Sequence, residues 1–397
     1  MGLNDTVSAE RIHIGFFGLR NAGKSSVVNA VTGQNMSIVS EVKGTTTDPV
    51  KKAMEILPLG PVVIIDTPGL DDQGELGELR VEKARQILAR TDIAVLVVDA
   101  VKGMGVEERK LLALLGERQI PCVIAYNKAD LLEKRPVISG NELYVSAVTK
   151  ENIDTLKEML ADFARTAKKE KYLVADLLSP GDRVVLVTPM DGSAPRGRLI
   201  LPQQQTLREL LDAHCVCTVC QPEELDQMLA FSPRKPKLVI TDSQVFERVA
   251  EIVPEDVWLT SFSILFARYR GNLKMLVKGA AQLSRLKDGD RVLIAEGCTH
   301  HRQCGDIGTV KLPGWIRGYS RAKPEFVFSS GPEFEKNLSG YALAVHCGGC
   351  MLNKKEMEYR LSLAVDSGVP IVNYGIAIAR MHGILERSLC PFPDVWE

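Results

Sequence analysis

Short apolar runs alternate with longer amphipathic stretches along almost the whole chain. Arg11–Phe17, Val62–Ile65, Val95–Val98 and Cys122–Tyr126 are runs of β-branched and aromatic residues of the length of buried strands, whereas Ser26–Val31 and Ile153–Arg165 read as helices. A charged stretch, Ala167-Lys168-Lys169-Glu170-Lys171, suits a linker. Beyond it the alternation resumes, with strands at Arg183–Thr188, Cys215–Cys220 and Lys237–Ile240 and helices at Gln205–Ala213, Glu223–Phe231 and Val245–Ile252. A last section holds a helix at Leu273–Leu286 and strands at Arg291–Glu296 and Tyr341–Val345. Strands alternating with helices imply parallel sheets covered on both faces, an α/β fold. A chain of 397 residues is too long for one core. Two or three α/β domains are therefore expected.

Composition narrows the classes of partner. Forty-five per cent apolar and 25% charged residues are ordinary values, so large-scale disorder is not expected. Forty-nine basic and 50 acidic residues leave a formal charge of -1, and no global field favours nucleic acid or an anionic membrane. No nucleic-acid partner is expected. The longest apolar runs, such as Ile93–Val98, fall far short of the roughly 18 residues that cross a bilayer. Met1–Arg11 lacks the apolar centre of a signal peptide, so no membrane association and a cytoplasmic location are expected. Met1-Gly2-Leu3-Asn4-Asp5-Thr6 fits the loose myristoylation pattern, which many chains match by chance. Nine cysteines and six histidines remain. In a reducing compartment, clustered cysteines hold metal or fill a core.

The first strand runs into Gly18-Leu19-Arg20-Asn21-Ala22-Gly23-Lys24-Ser25-Ser26, a glycine loop that opens a helix. There the backbone N–H groups from Gly18 through Asn21, Ala22 and Gly23 to Ser26 can surround phosphates. Lys24 can reach the β and γ groups, and Ser25 offers its hydroxyl to Mg2+. Val62–Ile65 ends in Asp66-Thr67-Pro68-Gly69, which places a carboxylate by the magnesium and a glycine N–H by the γ-phosphate. A later strand delivers Asn127-Lys128-Ala129-Asp130. The Asp130 carboxylate can accept from the N1–H and N2–H of guanine, which adenine does not offer in that arrangement. In Val145-Ser146-Ala147 a backbone N–H can meet the guanine O6. Four such pieces, each at the C-terminal end of an expected strand, define a P-loop GTPase domain that binds GTP and Mg2+. Between the first two lies Gly44-Thr45-Thr46-Thr47-Asp48, a candidate switch loop with Thr46 as its magnesium contact. Lys24, Thr46, Asp66 and Gly69 are the candidate catalytic set.

Leu70 follows Gly69 where a Ras-like switch places the glutamine that orients water, so another stabiliser of the transition state is needed. Asn21 and the Gly44–Asp48 loop resemble the tRNA-modification and Era-like branch of the translation-factor GTPases. That resemblance implies that Asn21 helps to hold K+ against the phosphates, that hydrolysis is stimulated by potassium, and that G domains act as a homodimer.

In the middle of the chain, His214-Cys215-Val216-Cys217-Thr218-Val219-Cys220 has the look of a metal motif. On a strand its cysteines alternate between faces, so the sulfurs do not converge and a core strand is expected. A dimerisation or docking role is the default for this part. Further on, Arg291–Glu296 leads to Gly297-Cys298-Thr299-His300, and Tyr341–Val345 leads to His346-Cys347-Gly348-Gly349-Cys350. Strand ends in one parallel sheet would bring Cys298, Cys347 and Cys350 together, with His300 and His346 nearby. A zinc site with one histidine and an iron-sulfur cubane with a weaker fourth ligand both satisfy this spacing. For the fourth ligand a histidine, His300 or His346, is preferred over Glu296, Cys304 or Asp306. Cys304 and Cys390 read as bystanders.

A G domain of this branch followed by Cys-x-His and His-Cys-x-x-Cys resembles the HydF family, the maturation GTPases of FeFe-hydrogenases, over all 397 residues. Asn373-Tyr374-Gly375 adds to the likeness. The resemblance implies three domains, a P-loop GTPase domain at 1–170 followed by two further α/β domains with parallel sheets, a dimerisation domain at 171–265 and an iron-sulfur cluster-binding domain at 266–397. It further implies a 4Fe-4S cluster on Cys298, Cys347 and Cys350 with an exchangeable fourth position. The family acts as scaffold and carrier, accepting a diiron precursor cluster built with two radical-SAM maturases and delivering it to apo FeFe-hydrogenase. The competing expectation is a tRNA-modification or ribosome-associated GTPase with a structural zinc, against which the neutral charge stands.

Overall fold

The structure is a computed structural model, and it describes residues 10–34, 50–67, 87–167, 171–190, 199–232, 234–297, 307–331, 334–335 and 337–396. The chain divides into two compact units, Met1–Glu170 and Lys171–Glu397.

The first unit is built on six strands: β1 (Ile12–Phe17), β2 (Val50–Ile56), β3 (Gly60–Asp66), β4 (Ile93–Asp99), β5 (Cys122–Asn127) and β6 (Glu142–Tyr144). Their order is β2-β3-β1-β4-β5-β6, parallel except for the antiparallel edge strand β2. Every residue of β4 is buried, which is why its sequence is a continuous apolar run with no alternation. Its odd and even residues feed different cores. Ile93, Val95 and Val97 pack with Leu156 and Leu160 of the helix Ile153–Ala167, while Ala94, Leu96 and Val98 pack with Leu111 and Leu115 of the helix Val106–Glu117. Parallel strands point their C-terminal ends the same way, which brings the ends of β1, β3 and β5 to one edge of the sheet.

The second unit holds two four-stranded parallel sheets. One contains β7 (Arg183–Val187), β8 (Val216–Cys220), β9 (Leu238–Thr241) and β10 (Trp258–Ser261) in the order β10-β9-β7-β8. The other contains β11 (Arg291–Glu296), β12 (Glu325–Ser330), β13 (Leu343–His346) and β14 (Ile371–Asn373) in the order β12-β11-β13-β14. One apolar core runs through both, from Val184 and Leu186 by way of Leu265 and Phe266 to Ile294, Val345 and Val372. Among the described residues no helix is long and apolar enough to cross a membrane.

Three expectations change. β8 is an edge strand rather than a core strand, with Val216 50% and Val219 43% exposed, because only β7 pairs with it. The helix expected over Leu273–Leu286 runs only to Gly279 and then tightens into a 3-10 turn, Ala280–Arg285. At that junction Gly279 lies so close to the carbonyl of Ile371 that a Cβ could not be accommodated. The strand expected at Tyr341–Val345 begins at Leu343 and ends at His346, so that histidine belongs to the sheet and not to the loop after it.

Candidate nucleotide and cysteine sites

Residues Gly18–Gly23 pass from β1 into the helix Lys24–Thr32 through two conformations that favour glycine, φ 145° at Gly18 and φ 88° at Gly23. A Cβ at Gly18 would run into the Val97 carbonyl of β4, and one at Gly23 into the Asn127 side chain at the end of β5. The loop is thereby pressed onto the neighbouring strands. Asn21, also at positive φ (64°), Ser25 and Ser26 are exposed on it. The Lys24 ammonium is buried and donates to the carbonyls of Gly18 at 3.0 Å and Leu19 at 2.8 Å.

Ser25 Oγ donates to Asp66 Oδ2 at 3.1 Å. The other carboxylate oxygen, Oδ1, is buried and has no hydrogen-bond partner among the described residues. Desolvation lifts the Asp66 carboxyl above the ordinary aspartate value, against the Ser25 hydrogen bond and the Lys24 charge. A buried carboxylate oxygen is costly unless something positive meets it. With a serine hydroxyl alongside, the hard oxygen pair suits Mg2+.

Asn127 ties three motifs together. Its Nδ2 donates to the Ala22 carbonyl at 3.0 Å, and its Oδ1 accepts from the Ala147 N–H at 3.1 Å. The Ala147 N–H, one of the segment's N–H groups that could meet a base oxygen, is thus engaged by Asn127 in this structure. Lys128, at φ 68°, reaches Asp99 at 2.6 Å, and Asp130 is exposed at the mouth. Ser146 is fully buried; its N–H donates to the Glu151 carbonyl at 3.2 Å and its Oγ accepts from Thr149. Arg135, which sequence reasoning missed, joins the two base-side loops. It donates to Glu151 Oε1 at 2.5 Å and Oε2 at 3.0 Å, and to the Ala129 carbonyl at 3.2 Å. Thr46 and Gly69 lie outside the described residues.

The cysteine loop leaves β13. Cys347 N–H donates to the Ala295 carbonyl of β11 at 2.9 Å, and Cys347 Sγ accepts from the N–H of Gly297 at 3.1 Å and of Gly349 at 3.4 Å. Gly349 adopts φ 64°, and a Cβ at Gly297 would sit 2.7 Å from Leu352 Cγ, so both positions call for glycine. Burial pushes the Cys347 thiol up while the two N–H groups oppose it, and burial with the neighbouring Cys347 pushes Cys350 up to about 11. Two adjacent, desolvated thiols with N–H groups aimed at sulfur suit a bound metal centre, which supplies the positive charge that a buried thiolate lacks. Cys298 and His300 lie outside the described residues, as do Cys304 and Asp306, and among the described residues no group of three or more metal-ligating side chains converges.

His346 departs from the expectation of a free ligand. It is fully buried, its Nδ1 lies 2.7 Å from the Cys347 carbonyl, and its Nε2 lies 3.1 Å from Arg360 Nη1. Burial and then the Arg360 charge lower its pKa to about 3, so the ring is neutral. Facing a guanidinium donor, Nε2 must accept, and Nδ1–H then donates to Cys347 O. Both ring nitrogens are engaged within the protein.

A glycine loop at the end of the first strand, a serine-aspartate pair beside it and an asparagine-bound base-side wall define the first unit as a P-loop GTPase domain. The family profile described as 50S ribosome-binding GTPase matches residues 13–128. The profiles for the Hydrogen maturase F dimerization domain and tetramerization domain match residues 173–271 and 274–391, together more than half of the chain. The chain belongs to the hydrogen maturase F (HydF) family. The tRNA modification GTPase MnmE of Thiobacillus denitrificans is 32% identical over 156 residues, which cover 39% of this chain and 34% of that protein. GTPase Der of Kosmotoga olearia is 34% identical over 131 residues, 32% of this chain and 29% of the relative. The chain thus spans about a third of the length of these curated relatives. Among solved structures, Era of Aquifex aeolicus is 16% identical with a TM-score of 0.34, over 81% of this chain and 94% of Era.

Proposed function

We propose that this chain is a GTP-hydrolysing scaffold and carrier of FeFe-hydrogenase maturation. In this reading Lys24, Ser25 and Asp66, with Thr46 and Gly69, hold GTP and Mg2+, and Asn127, Lys128, Asp130, Ser146 and Ala147 select guanine. Mg2+ neutralises developing phosphate charge when bound. Leu70 cannot orient water, so K+ held through the exposed Asn21 supplies the missing positive charge.

Residues 171–265 serve self-association, and residues 266–397 hold a 4Fe-4S cluster on Cys298, Cys347 and Cys350. The observation that carries the cluster reading is the Gly297 N–H on Cys347 Sγ at 3.1 Å: the residue preceding Cys298 touches the first cysteine of the Cys-x-x-Cys pair. Cys298 follows Gly297 directly in the chain, and consecutive Cα atoms are about 3.8 Å apart, which supports a shared site with Cys347. Because His346 spends both nitrogens internally, the fourth position falls to the 296–306 segment, with His300 and Glu296 as candidates. The cargo is a diiron precursor, received from two radical-SAM maturases and passed to apo FeFe-hydrogenase. The protein purified after co-expression with those maturases is expected to activate apo-hydrogenase, and Cys347→Ser is expected to be inert. Equal activation by wild type and Cys347→Ser would overturn the carrier role.

The alternative, an RNA-acting GTPase with zinc, draws on likeness confined to the first unit, and the two remaining profile matches favour the maturation reading.

A further inference from the structure

Two buried guanidinium groups flank the cysteine loop, and the motifs account for neither. Arg360 is 1% exposed and forms an ion pair with Glu356 Oε1 at 2.9 Å, which cancels much of its field. Its Nη1 faces His346 Nε2 at 3.1 Å and its Nη2 also donates to the Gly331 carbonyl at 2.8 Å, so it fixes the first residue of the motif. Arg270 is 2% exposed at the end of the helix Phe262–Arg270, whose Phe266 packs near Gly348. Its guanidinium carbon lies 5.6 Å from the Phe266 ring centre and 5.7 Å from that of Tyr269, and its Nη1 donates to the Leu352 carbonyl just past the loop.

We propose that Arg270 is a positioning residue that sets the shape of the cysteine loop through Leu352 and raises the reduction potential of the cluster with a positive charge buried against the end of that loop. This inference rests on the cluster reading above. Reduction adds one electron to an assembly already negative through its thiolates, and no bond forms or breaks. A fixed cation in a low-dielectric surrounding stabilises the more negative state more strongly. Loss of the charge therefore makes the cluster harder to reduce.

The test is an anaerobic potentiometric titration of the full chain, reconstituted with iron and sulfide, with dithionite as electron donor and electron paramagnetic resonance as readout. Arg270→Gln is expected to bind as much iron as wild type and to show a midpoint shifted to more negative potential, while Arg270→Lys stays with wild type. Coincident midpoints for wild type and Arg270→Gln would overturn the proposal. Should the Gln variant not fold, Arg270→Lys decides: a midpoint displaced beyond the spread of replicate wild-type titrations, with the charge retained, overturns it. Wild-type protein that takes up no iron refutes the cluster reading itself, an outcome distinct from an Arg270 variant without effect.

Discussion

The nucleotide site and the cysteine loop solve opposite electrostatic problems. At the first, the glycine loop, the buried Lys24 and an Asp66 oxygen without a partner among the described residues lie together, a set that suits ligands of both signs of charge, and Asp130 is exposed. At the second, thiols whose burial opposes ionisation are surrounded by donors: two glycine N–H groups on Cys347 and two buried arginines nearby. On the proposed reading the first site exchanges nucleotide while the second retains a metal centre, and the two sit in separate compact units.

That separation can be broken experimentally. Lys24→Ala removes the charge that the proposed reading assigns to the phosphates and is expected to slow GTP hydrolysis on the order of 10³-fold with iron content unchanged, whereas Cys347→Ser is expected to abolish iron binding and leave hydrolysis intact. Parallel loss of both activities in either variant would show that the sites are not separable. Next in size, Asp130→Asn gives up two charge-assisted hydrogen bonds to guanine, and GTP affinity should fall by about 10²-fold, with partial recovery for xanthosine triphosphate. Calorimetry with both nucleotides checks it. Replacing K+ by Na+ should slow hydrolysis about tenfold, the effect of roughly 1.4 kcal/mol in the transition state, without touching the cluster. Equal rates in the two salts would remove Asn21 from the mechanism. Gly297→Ala keeps the N–H on Cys347 but forces a Cβ against Leu352, 2.7 Å from its Cγ; a stability loss of about 1–3 kcal/mol in urea titration is expected, with GTP turnover unaltered.

The two regions also differ in how much of them can be read from the chain. The strands of the first unit were legible because β3, β4 and β5 are unbroken apolar runs whose ends carry motif residues. β2 escaped notice: Val50-Lys51-Lys52-Ala53-Met54-Glu55-Ile56 is polar because it lies at a sheet edge. β12 is half-exposed for the same reason, and β14 is only three residues long. β8 misled in the other direction, since its cysteines and valines have a core composition but only β7 beside them. At the sites, local motifs announced Lys24, Asp66, Asn127 and the Cys347-Cys350 pair. Arg135, Arg270 and Arg360 belong to no motif, and their contacts with Glu151, Leu352 and His346 span 16, 82 and 14 positions through a fold that spacing alone does not specify. His346 was visible as a residue, but its engagement with Arg360 and the Cys347 carbonyl was not.

The central claim is that sulfurs from two strand ends share one iron-sulfur cluster in a chain that also binds GTP. Iron and zinc analysis with electron paramagnetic resonance on anaerobically purified, dithionite-reduced protein tests it most directly. The account predicts a brown protein with iron and sulfide and the resonance of a reduced 4Fe-4S cluster, lost in Cys298→Ser, Cys347→Ser and Cys350→Ser alike. A colourless protein that holds zinc after reconstitution with iron and sulfide, or a cluster that survives Cys298→Ser unchanged, would contradict it.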